Sequence, residues 1–287
     1  MKNVILTPNP YRDKNFATVR QAMQILNDAG VDVKLCLPFD VDRDYPLPAD
    51  LHFCRLDREL SRTDCVICFG GDGTILHMAK AATRYNVPIL GVNIGTMGFM
   101  AELECSEMQE LARLATGDYK IDKRMMLDVT VQRDRSILFH ELSLNDAVIT
   151  KGAVARIVHV AVACDGVKAM ECGGDGIIVA TPTGSTGYNL SAGGPIVEPD
   201  AQSILITPIC AHDLLSRSMV SSPDRIITLE LTRNARRNGF LSVDGGKAFK
   251  LSMGDVVTVR RSQRQTQLIR LNDRSFYDVI HTKFTQL

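Results

Sequence analysis

The chain contains no tryptophan, and aromatic residues make up only 6% of its 287 positions. A surface of stacked aromatic side chains for single-stranded nucleic acid is therefore not expected. Lys and Arg number 33 and Asp and Glu number 33, so no net basic field favours nucleic acid or an anionic membrane. No apolar run has the length of a membrane span or of a signal peptide. These absences predict a protein without nucleic-acid or membrane partners.

The eight cysteines lack the paired spacing of a disulfide framework, and most lie inside apolar runs. This pattern predicts free, buried thiols in a reducing cytoplasm. Cys65 and Cys68 form a CxxC motif, which in other proteins binds zinc or performs redox chemistry. Because no second CxxC and no close pair of histidines accompanies it, the pattern favours thiols of the hydrophobic core.

The first part of the chain alternates apolar runs with helical periodicity, which is typical of βαβ units and a largely parallel sheet. A helix is predicted from Phe16 to Ala29, where Gly30 stops it. A second helix is predicted to start at a capping box formed by residues 106–109 and to end near Gly117. Strands are predicted for Val4 to Thr7, Val33 to Leu37, Cys65 to Phe69 and Pro88 to Val92.

Beyond Tyr119 the pattern changes to short β-type segments, which predict an all-β second domain. The predicted segments are 127–132, 137–144, 155–163, 177–180, 204–207, 226–231, 256–259 and 267–271. We therefore expect an α/β domain over residues 1–118 and a β-sandwich domain over 119–271. Residues 272–287 are expected to form a tail or helix that packs on the first domain, because Phe276, Val279 and Ile280 have helical spacing.

A glycine-flanked aspartate in the sequence FGGDGT, residues 69–74, follows the apolar run of residues 65–68 directly. Consecutive glycines let the backbone turn sharply and let a ligand approach closely. The next segment, from Thr74, is predicted to open a helix, whose first N–H groups favour an anionic group such as phosphate. A carboxylate, Asp72, beside a phosphate site indicates phosphoryl transfer to a hydroxyl group.

A second loop, TPTGSTGY at residues 181–188, follows a predicted strand and is rich in hydroxyl groups and glycine. Gly, Pro, Ser and Thr also dominate ordinary surface turns, so an ordinary loop is an equal alternative. The length of the loop favours a functional role, in which hydroxyls and backbone N–H groups bind phosphate and ribose. No P-loop of the form GxxxxGKS/T is present.

Two further polar segments interrupt apolar surroundings. Asn145 and Asp146 serve either as a turn between strands or as a clamp for a nucleoside. Residues 173–176, GGDG, contain a second glycine-flanked aspartate, Asp175, which also fits a hairpin turn. His77 lies one turn beyond Gly73 and either faces phosphate or is structural, and the structural role is favoured because no neighbour in sequence fixes its tautomer. His212 has no metal-ligand partner at a nearby spacing and is left unassigned.

Taken together, these segments resemble the NAD kinase family over nearly the whole chain. The matching motifs are GGDGT at 70–74, NIGTMGF at 93–99, RMML at 124–127, ND at 145–146, GDG at 174–176, TPTGSTGY at 181–188, SAGGPIVEP at 191–199, TPICAHDL at 207–214 and VDG at 243–245. The glycine-aspartate loop is shared with lipid kinases and phosphofructokinases, whereas the ordered combination is specific. In the family the second residue of the ND pair is often glutamate, one methylene longer than Asp146.

The resemblance implies a Rossmann-like N-terminal domain, a C-terminal β-sandwich, and transfer of the γ-phosphoryl group of ATP to the 2′-hydroxyl of the adenosine ribose of NAD. It also implies Mg²⁺ or another divalent metal, a homodimer or homotetramer, and Asp72 as the proton acceptor. The residues implied at the NAD site are Asp72, Gly73, Asn145, Asp146, Arg156, Asp175, Thr186, Gly187, Tyr188 and Ser191. The phosphate loops would comprise Gly70, Gly71, Gly73, Thr74, Thr183, Gly184 and Ser185, while protein ligands for a metal stay unassigned.

Two other functions fit parts of the same pattern. A diacylglycerol-type lipid kinase shares the glycine-aspartate loop, but the sequence has no amphipathic helix with a basic face for a membrane. A dinucleotide-binding sensor without activity would keep the binding loops, and the presence of Asp72 argues against it.

Overall fold

The computed structural model describes residues 1–42, 44–95, 98–152, 157–212, 216–232 and 239–285. Two compact units make up the chain. The first consists of Met1–Lys123 together with Thr266–Leu287, and the second of Arg124–Gln265. No helix in the described ranges is long and apolar enough to cross a membrane.

The first unit is built on a parallel sheet. Its strands are β1 (Asn3–Pro8), β2 (Asp32–Cys36), β3 (Phe53–Cys54), β4 (Cys65–Gly70), β5 (Ile89–Asn93) and β6 (Leu103–Glu104). They are arranged in the order β3-β2-β1-β4-β5, with β6 also beside β5. All six residues of β4 are buried, as expected for a parallel strand covered on both faces. This doubly wound arrangement confirms the predicted Rossmann-like domain.

Short and long helices occur in the described ranges. They are α1 (Ala17–Asp28), α2 (Leu56–Glu59), α3 (Asp72–Arg84), α4 (Arg113–Thr116), α5 (Tyr188–Ser191) and α6 (Phe276–Thr285). Helix α1 buries Val19, Ala22 and Leu26, which lie on one face at helical spacing, and Gly30 follows its end with φ +77°. The prediction of this helix is therefore confirmed.

The helix predicted from the capping box at residues 106–109 differs from the structure. The segment Cys105–Ala112 is a 3₁₀ helix, and its capping box is formed by Glu104 and Glu107. Glu107 accepts a hydrogen bond from the N–H of Glu104 at 2.9 Å. The prediction was wrong by two residues because an acidic side chain takes the capping position that the sequence pattern gave to Ser106.

The second unit is a sandwich of two antiparallel sheets. Its strands are β7 (Lys120–Arg133), β8 (Ser136–Ser143), β9 (Asp146–Lys151), β10 (Val158–Cys164), β11 (Val167–Gly174), β12 (Gly176–Ala180), β13 (Ile204–Ile209), β14 (Met219–Ser221), β15 (Ile227–Leu231), β16 (Gly239–Val243), β17 (Phe249–Leu251) and β18 (Val256–Arg270), of which β7 and β18 continue into the first unit. One sheet has the order β14-β13-β12-β9-β16-β17, and the other contains β11-β10-β15-β18. Buried Ile149 and Ile177 of one sheet share a core with Val160 and Leu229 of the other. The predicted β-sandwich is confirmed.

Two details of the second unit depart from the predicted pattern. The segments predicted at 256–259 and 267–271 belong to one continuous strand, β18, because the polar residues between them stay extended. Asp175 does not lie in a hairpin turn, since it connects β11 to β12 and these strands belong to different sheets.

Candidate active site

Asp72 is the first residue of α3 and directly follows the turn at the end of β4. The helix begins two residues earlier than the predicted start at Thr74. A Cβ atom on Gly70 would lie 2.3 Å from Thr74 Oγ1, so the absence of a side chain at this position lets the helix start close against the strand. The structure thus presents a carboxylate at a helix N-terminus, where backbone N–H groups also favour phosphate.

The carboxylate of Asp72 is held by a second loop. Asp72 Oδ2 accepts the N–H of Phe99 at 2.8 Å, and Oδ1 accepts the N–H of Met100 at 3.0 Å. A Cβ atom on Gly98 would lie 2.0 Å from Oδ1, so the loop can approach the carboxylate only because residue 98 is glycine. A carboxylate has about four lone-pair positions, so the two amides leave acceptor capacity for a ligand hydroxyl.

A cavity of about 330 Å³ surrounds this carboxylate. It is lined by Asn9, Arg12, Phe39, Gly71, Asp72, Gly73, Thr74, Gly98 and Lys283. Asn9 Nδ2 donates a hydrogen bond to Thr74 Oγ1 at 3.3 Å, and Arg12 Nη1 donates to the carbonyl oxygen of Ile94 at 3.5 Å. Two cations and one carboxylate therefore face the cavity, which makes it suitable for an anionic ligand.

Several residues of this cavity were absent from the sequence prediction. Asn9 and Arg12 follow the end of β1. Because ligand sites of parallel sheets lie at the carboxyl ends of the strands, this position could have indicated that both residues belong to the site. Lys283 is distant in sequence from every predicted loop, and no local pattern could have indicated it. His77 is exposed, and its ring meets Phe39 edge-on with the centroids 5.8 Å apart.

In the second unit, Asp244 fixes the turn that carries Asn145 and Asp146. Its carboxylate accepts four hydrogen bonds, from Ser143 Oγ at 2.6 Å and from the N–H groups of Leu144, Asn145 and Asp146 at 2.8, 2.9 and 3.1 Å. Asp244 itself has a φ of +51°, a backbone conformation that an aspartate tolerates better than most residues. Asp244 belongs to the VDG motif of residues 243–245, for which the sequence alone predicted no role.

The TPTGSTGY loop packs directly against this turn. The N–H of Thr181 donates to the carbonyl oxygen of Asn145 at 2.8 Å, and Thr181 Oγ1 donates to the carbonyl oxygen of Leu144 at 2.6 Å. A Cβ atom on Gly184 would lie 2.2 Å from the carbonyl oxygen of Asn145. The structure therefore brings together two segments that are 36 residues apart.

Asn145 and Asp146 place two buried polar side chains next to each other. Asn145 Oδ1 is buried and accepts no hydrogen bond within the described part of the chain. Asp146 is 6% exposed. Burial, and secondarily the charge of Asp244, raises the pKa of Asp146 to about 7. Buried acceptors normally have donors, so this pair is suited to a ligand that supplies hydroxyl or amide hydrogens.

Other predicted residues occupy varied environments. Asp175 forms an ion pair with Lys151, whose Nζ lies 2.6 Å from Oδ1. Ser185 is buried, and its hydroxyl both donates to and accepts from the backbone of Val197. Thr183 Oγ1 accepts a hydrogen bond from Arg124 Nη1 at 3.3 Å.

The remaining predicted positions lie near α5. Tyr188 is 45% exposed, Ser191 is also exposed, and Thr186 and Gly187 are partly buried. Arg156 lies outside the described residues. His212 is exposed, and its N–H donates to the carbonyl oxygen of Gly173 at 2.9 Å.

The CxxC motif belongs to the hydrophobic core, as predicted. Cys65 and Cys68 are free and buried, and burial raises the pKa of the Cys68 thiol to about 12. In the parts of the chain that the structure describes, no group of three or more His, Cys, Asp or Glu side chains could hold a metal ion.

Comparison with known proteins matches both parts of the chain to one family. Residues 4–119 match the ATP-NAD kinase N-terminal domain, and residues 144–271 match the ATP-NAD kinase C-terminal domain. The NAD kinase of Caldanaerobacter subterraneus is 37% identical over 287 residues and covers 100% of both chains. The NAD kinase of Natranaerobius thermophilus is 39% identical over 286 residues, which is 99% of this chain and 98% of the relative.

Solved structures agree with this result. Yeast NADH kinase in complex with NADH has a TM-score of 0.83 at 25% identity, over 98% of this chain and 86% of the yeast chain. An NAD kinase from Archaeoglobus fulgidus in complex with ATP shares the fold, with a TM-score of 0.76 at 24% identity over 100% of both chains. The full-length identity to curated relatives and the two matched domains together show that the chain belongs to the ATP-NAD kinase family.

Proposed function

We propose that this chain, an ATP-dependent NAD kinase by its family, uses Asp72 to accept the proton of the adenosine ribose 2′-hydroxyl of NAD while that oxygen takes the γ-phosphoryl group of ATP, forming NADP. The single observation that carries the proposal is the carboxylate of Asp72 at the N-terminus of α3, inside a cavity with cationic walls. No other acidic side chain of the described residues lines that cavity.

Positioning contributes more than basicity in this reaction. Phosphoryl transfer passes through a loose transition state in most analyses, so holding the two oxygens in line and stabilising the spread charge carry most of the catalysis. The amides of Phe99 and Met100 orient Asp72 before a substrate arrives. We propose that the free acceptor positions of its carboxylate receive the hydrogen bond, and later the proton, of the ribose hydroxyl.

The phosphates of ATP are proposed to bind the glycine loop of the first unit. Gly70, Gly71, Gly73 and Thr74 surround the start of α3, where the N–H groups of Asp72 and Gly73 have no protein acceptor among the described residues. The second part of the predicted cradle, Thr183, Gly184 and Ser185, is less free. Because the hydroxyls of Thr183 and Ser185 already bond within the second unit, we propose that these residues shape the loop and contribute through backbone groups.

The acceptor nucleoside is proposed to bind Asn145 and Asp146. The unpaired, buried Oδ1 of Asn145 and the buried carboxyl group of Asp146 support a ligand with hydroxyl or amide donors, such as a ribose diol or the nicotinamide group. Asp175, Thr186, Gly187, Tyr188 and Ser191 stay proposed contacts of the dinucleotide.

A divalent metal such as Mg²⁺ is also proposed, held mainly by the phosphates of ATP and by water, with Asp72 as the one carboxylate that the described residues place in the cavity. This fits an ion that keeps its waters and needs few protein ligands. Bound there, it would neutralise part of the phosphate charge.

Three further properties are proposals. We propose three domains, residues 1–118, residues 119–271 and a C-terminal segment of residues 272–287. In this proposal the first domain binds the ATP phosphates and the second binds the NAD nucleoside. The eight free cysteines support a reducing cytoplasm as the place of action. A homodimer or homotetramer is proposed from the family resemblance alone.

The experiment is to incubate the full chain with NAD, ATP and Mg²⁺ and to detect NADP by an NADP-specific dehydrogenase. Asp72→Asn should lower kcat by about 100-fold or more, because general-base catalysis contributes about that much. Asn places an NH₂ group against one of the two loop amides, so some loss of thermal stability is expected alongside. The control is Asp273→Asn, which removes an exposed carboxylate paired with Lys120 and should keep wild-type kcat.

Each outcome decides between functions. Absence of NADP with the wild-type chain would contradict the proposal, and an NAD-binding but inactive chain would indicate a sensor. Phosphorylation of diacylglycerol in its place would indicate the lipid kinase. A kcat of Asp72→Asn equal to that of the wild type would exclude Asp72 as the proton acceptor.

A further inference from the structure

The C-terminal helix α6 contributes a cation to the cavity around Asp72. Lys283, in the last turn of α6, lines this cavity together with the glycine loop. Its side chain is partly buried, and its Nζ lies 4.5 Å from the centroid of the Phe99 ring. The N–H of the same Phe99 donates to Asp72 Oδ2. Lys283 thus lies above the residue that orients the reactive carboxylate.

Lys283 has no anionic partner among the residues that the structure describes. It forms no ion pair and no hydrogen bond with any of the described residues, whereas Lys34, Lys120, Lys151 and Lys168 each bind a carboxylate. A partly buried ammonium held only over an aromatic ring keeps three N–H donors for a ligand. A phosphate oxygen is the kind of acceptor that satisfies such a group best.

The rest of the cavity also points to a phosphate. Arg12 lies on the glycine-loop side, where its Nη1 is 3.6 Å from the position of a Cβ on Gly71. Lys283 supplies a second positive charge to the same cavity, against one negative charge on Asp72. The N-terminus of α3, a helix of 13 residues, adds its partial positive charge.

We infer that Lys283 binds a phosphate oxygen of the ATP donor, and that α6 is therefore part of the donor site. This inference rests on the proposed function and names a residue of the same site. The helix buries none of its side chains fully, so its packing on the first unit is light. A bond from Lys283 to the nucleotide would hold α6 in place when ATP is bound, and α6 should become better protected from hydrogen exchange.

The alternative is that Lys283 only packs α6 on Phe99. Two substitutions separate these roles. Lys283→Met keeps a long apolar stem on the ring and removes the charge, whereas Lys283→Arg keeps the charge and the contact with the ring. Lys120→Met is the matched control, because it removes a lysine of the same unit that is exposed and outside the cavity.

The measurements are the Kd of MgATP in the absence of NAD, by calorimetry on the full chain, and the KM values of both substrates. Lys283→Met should raise the Kd and KM of ATP by about 10-fold or more, as expected for a lost hydrogen bond between charged groups. The KM of NAD and the thermal midpoint should change little. Lys283→Arg should recover most of the affinity, and Lys120→Met should match the wild type.

A wild-type Kd for ATP in Lys283→Met would overturn the inference. An equal weakening of ATP and NAD, accompanied by a lower thermal midpoint, would also overturn it, because that result indicates a packing role. A third outcome is that Lys283→Met weakens ATP binding as expected while the wild-type chain makes no NADP. This result would refute the proposed function and leave the inference intact.

Discussion

The raised pKa of Asp146 predicts that ionisation of this carboxyl group changes the free energy of unfolding as the pH approaches neutrality. Burial, with the nearby charge of Asp244, moves its pKa from 3.8 to about 7. At ~1.4 kcal/mol for each step of one in pKa, ionisation of Asp146 in the folded chain costs about 4 kcal/mol more than in the unfolded chain. The perturbation that isolates this effect is Asp146→Asn, which keeps the shape and removes the titration.

The direction of the effect follows from proton linkage. Because folding raises this pKa, the folded chain holds a proton that the unfolded chain has already lost above its pKa of 3.8. The contribution of Asp146 to the free energy of unfolding is therefore full in acid, falls as pH rises towards about 7, and stays constant above that value. From pH ~5 to pH ~7 the wild type should lose about 2 to 3 kcal/mol relative to Asp146→Asn.

The assay is urea denaturation of the full chain at a series of pH values, followed by subtraction of the two stability curves. A control with the opposite sign is Asp165→Asn, since the N–H of Ile226 and the guanidinium of Arg225 lower the pKa of Asp165. The contribution of Asp165 is present above its unfolded pKa and is lost in acid. A difference between wild type and Asp146→Asn that is constant from pH ~5 to pH ~8 would refute the reasoning.

Two further substitutions test how the carboxylates are positioned. Gly98→Ala should lower kcat strongly while the chain still folds, because its Cβ would lie 2.0 Å from Asp72 Oδ1 and must displace the side chain; a wild-type kcat would contradict this. Asp244→Ala should destabilise the protein by about 3 kcal/mol or more in urea denaturation, because four donors lose a charged acceptor at once. Its Kd for NAD should also rise, and an unchanged Kd would show that the turn holds its shape without Asp244.

The parts of the fold that depend on local pattern were predictable. The strands of the first unit follow from their apolar runs, and Asp72 follows from two glycines placed after a strand. The position of Asp146 beside Asp244 was not predictable from the sequence. It depends on how β9 and β16 pair, with Val243 opposite Ala147, and this register is set only when the sheet folds. The same holds for Lys283, which reaches the cavity only once α6 has packed.

The Asn145 and Asp146 pair shows a second limit of sequence reasoning. Their chemistry indicated either a turn or a clamp, and the two readings could not be separated without knowing which acceptors stay unpaired after folding. The structure makes the segment a turn fixed by Asp244 and also leaves Asn145 Oδ1 without a donor among the described residues. The turn is therefore observed, and the nucleoside clamp stays a prediction.

A carboxyl group whose pKa is raised to about 7 has a consequence for inhibitor design. In its neutral form Asp146 can donate a hydrogen bond to a carbonyl or ring nitrogen, and in its ionised form it accepts from a hydroxyl or an amine. At the nucleoside site proposed for Asp146, compounds with an acceptor should gain potency in mild acid, and compounds with a donor should gain potency in mild base. The pH profile of inhibition would then report which face of a compound meets Asp146.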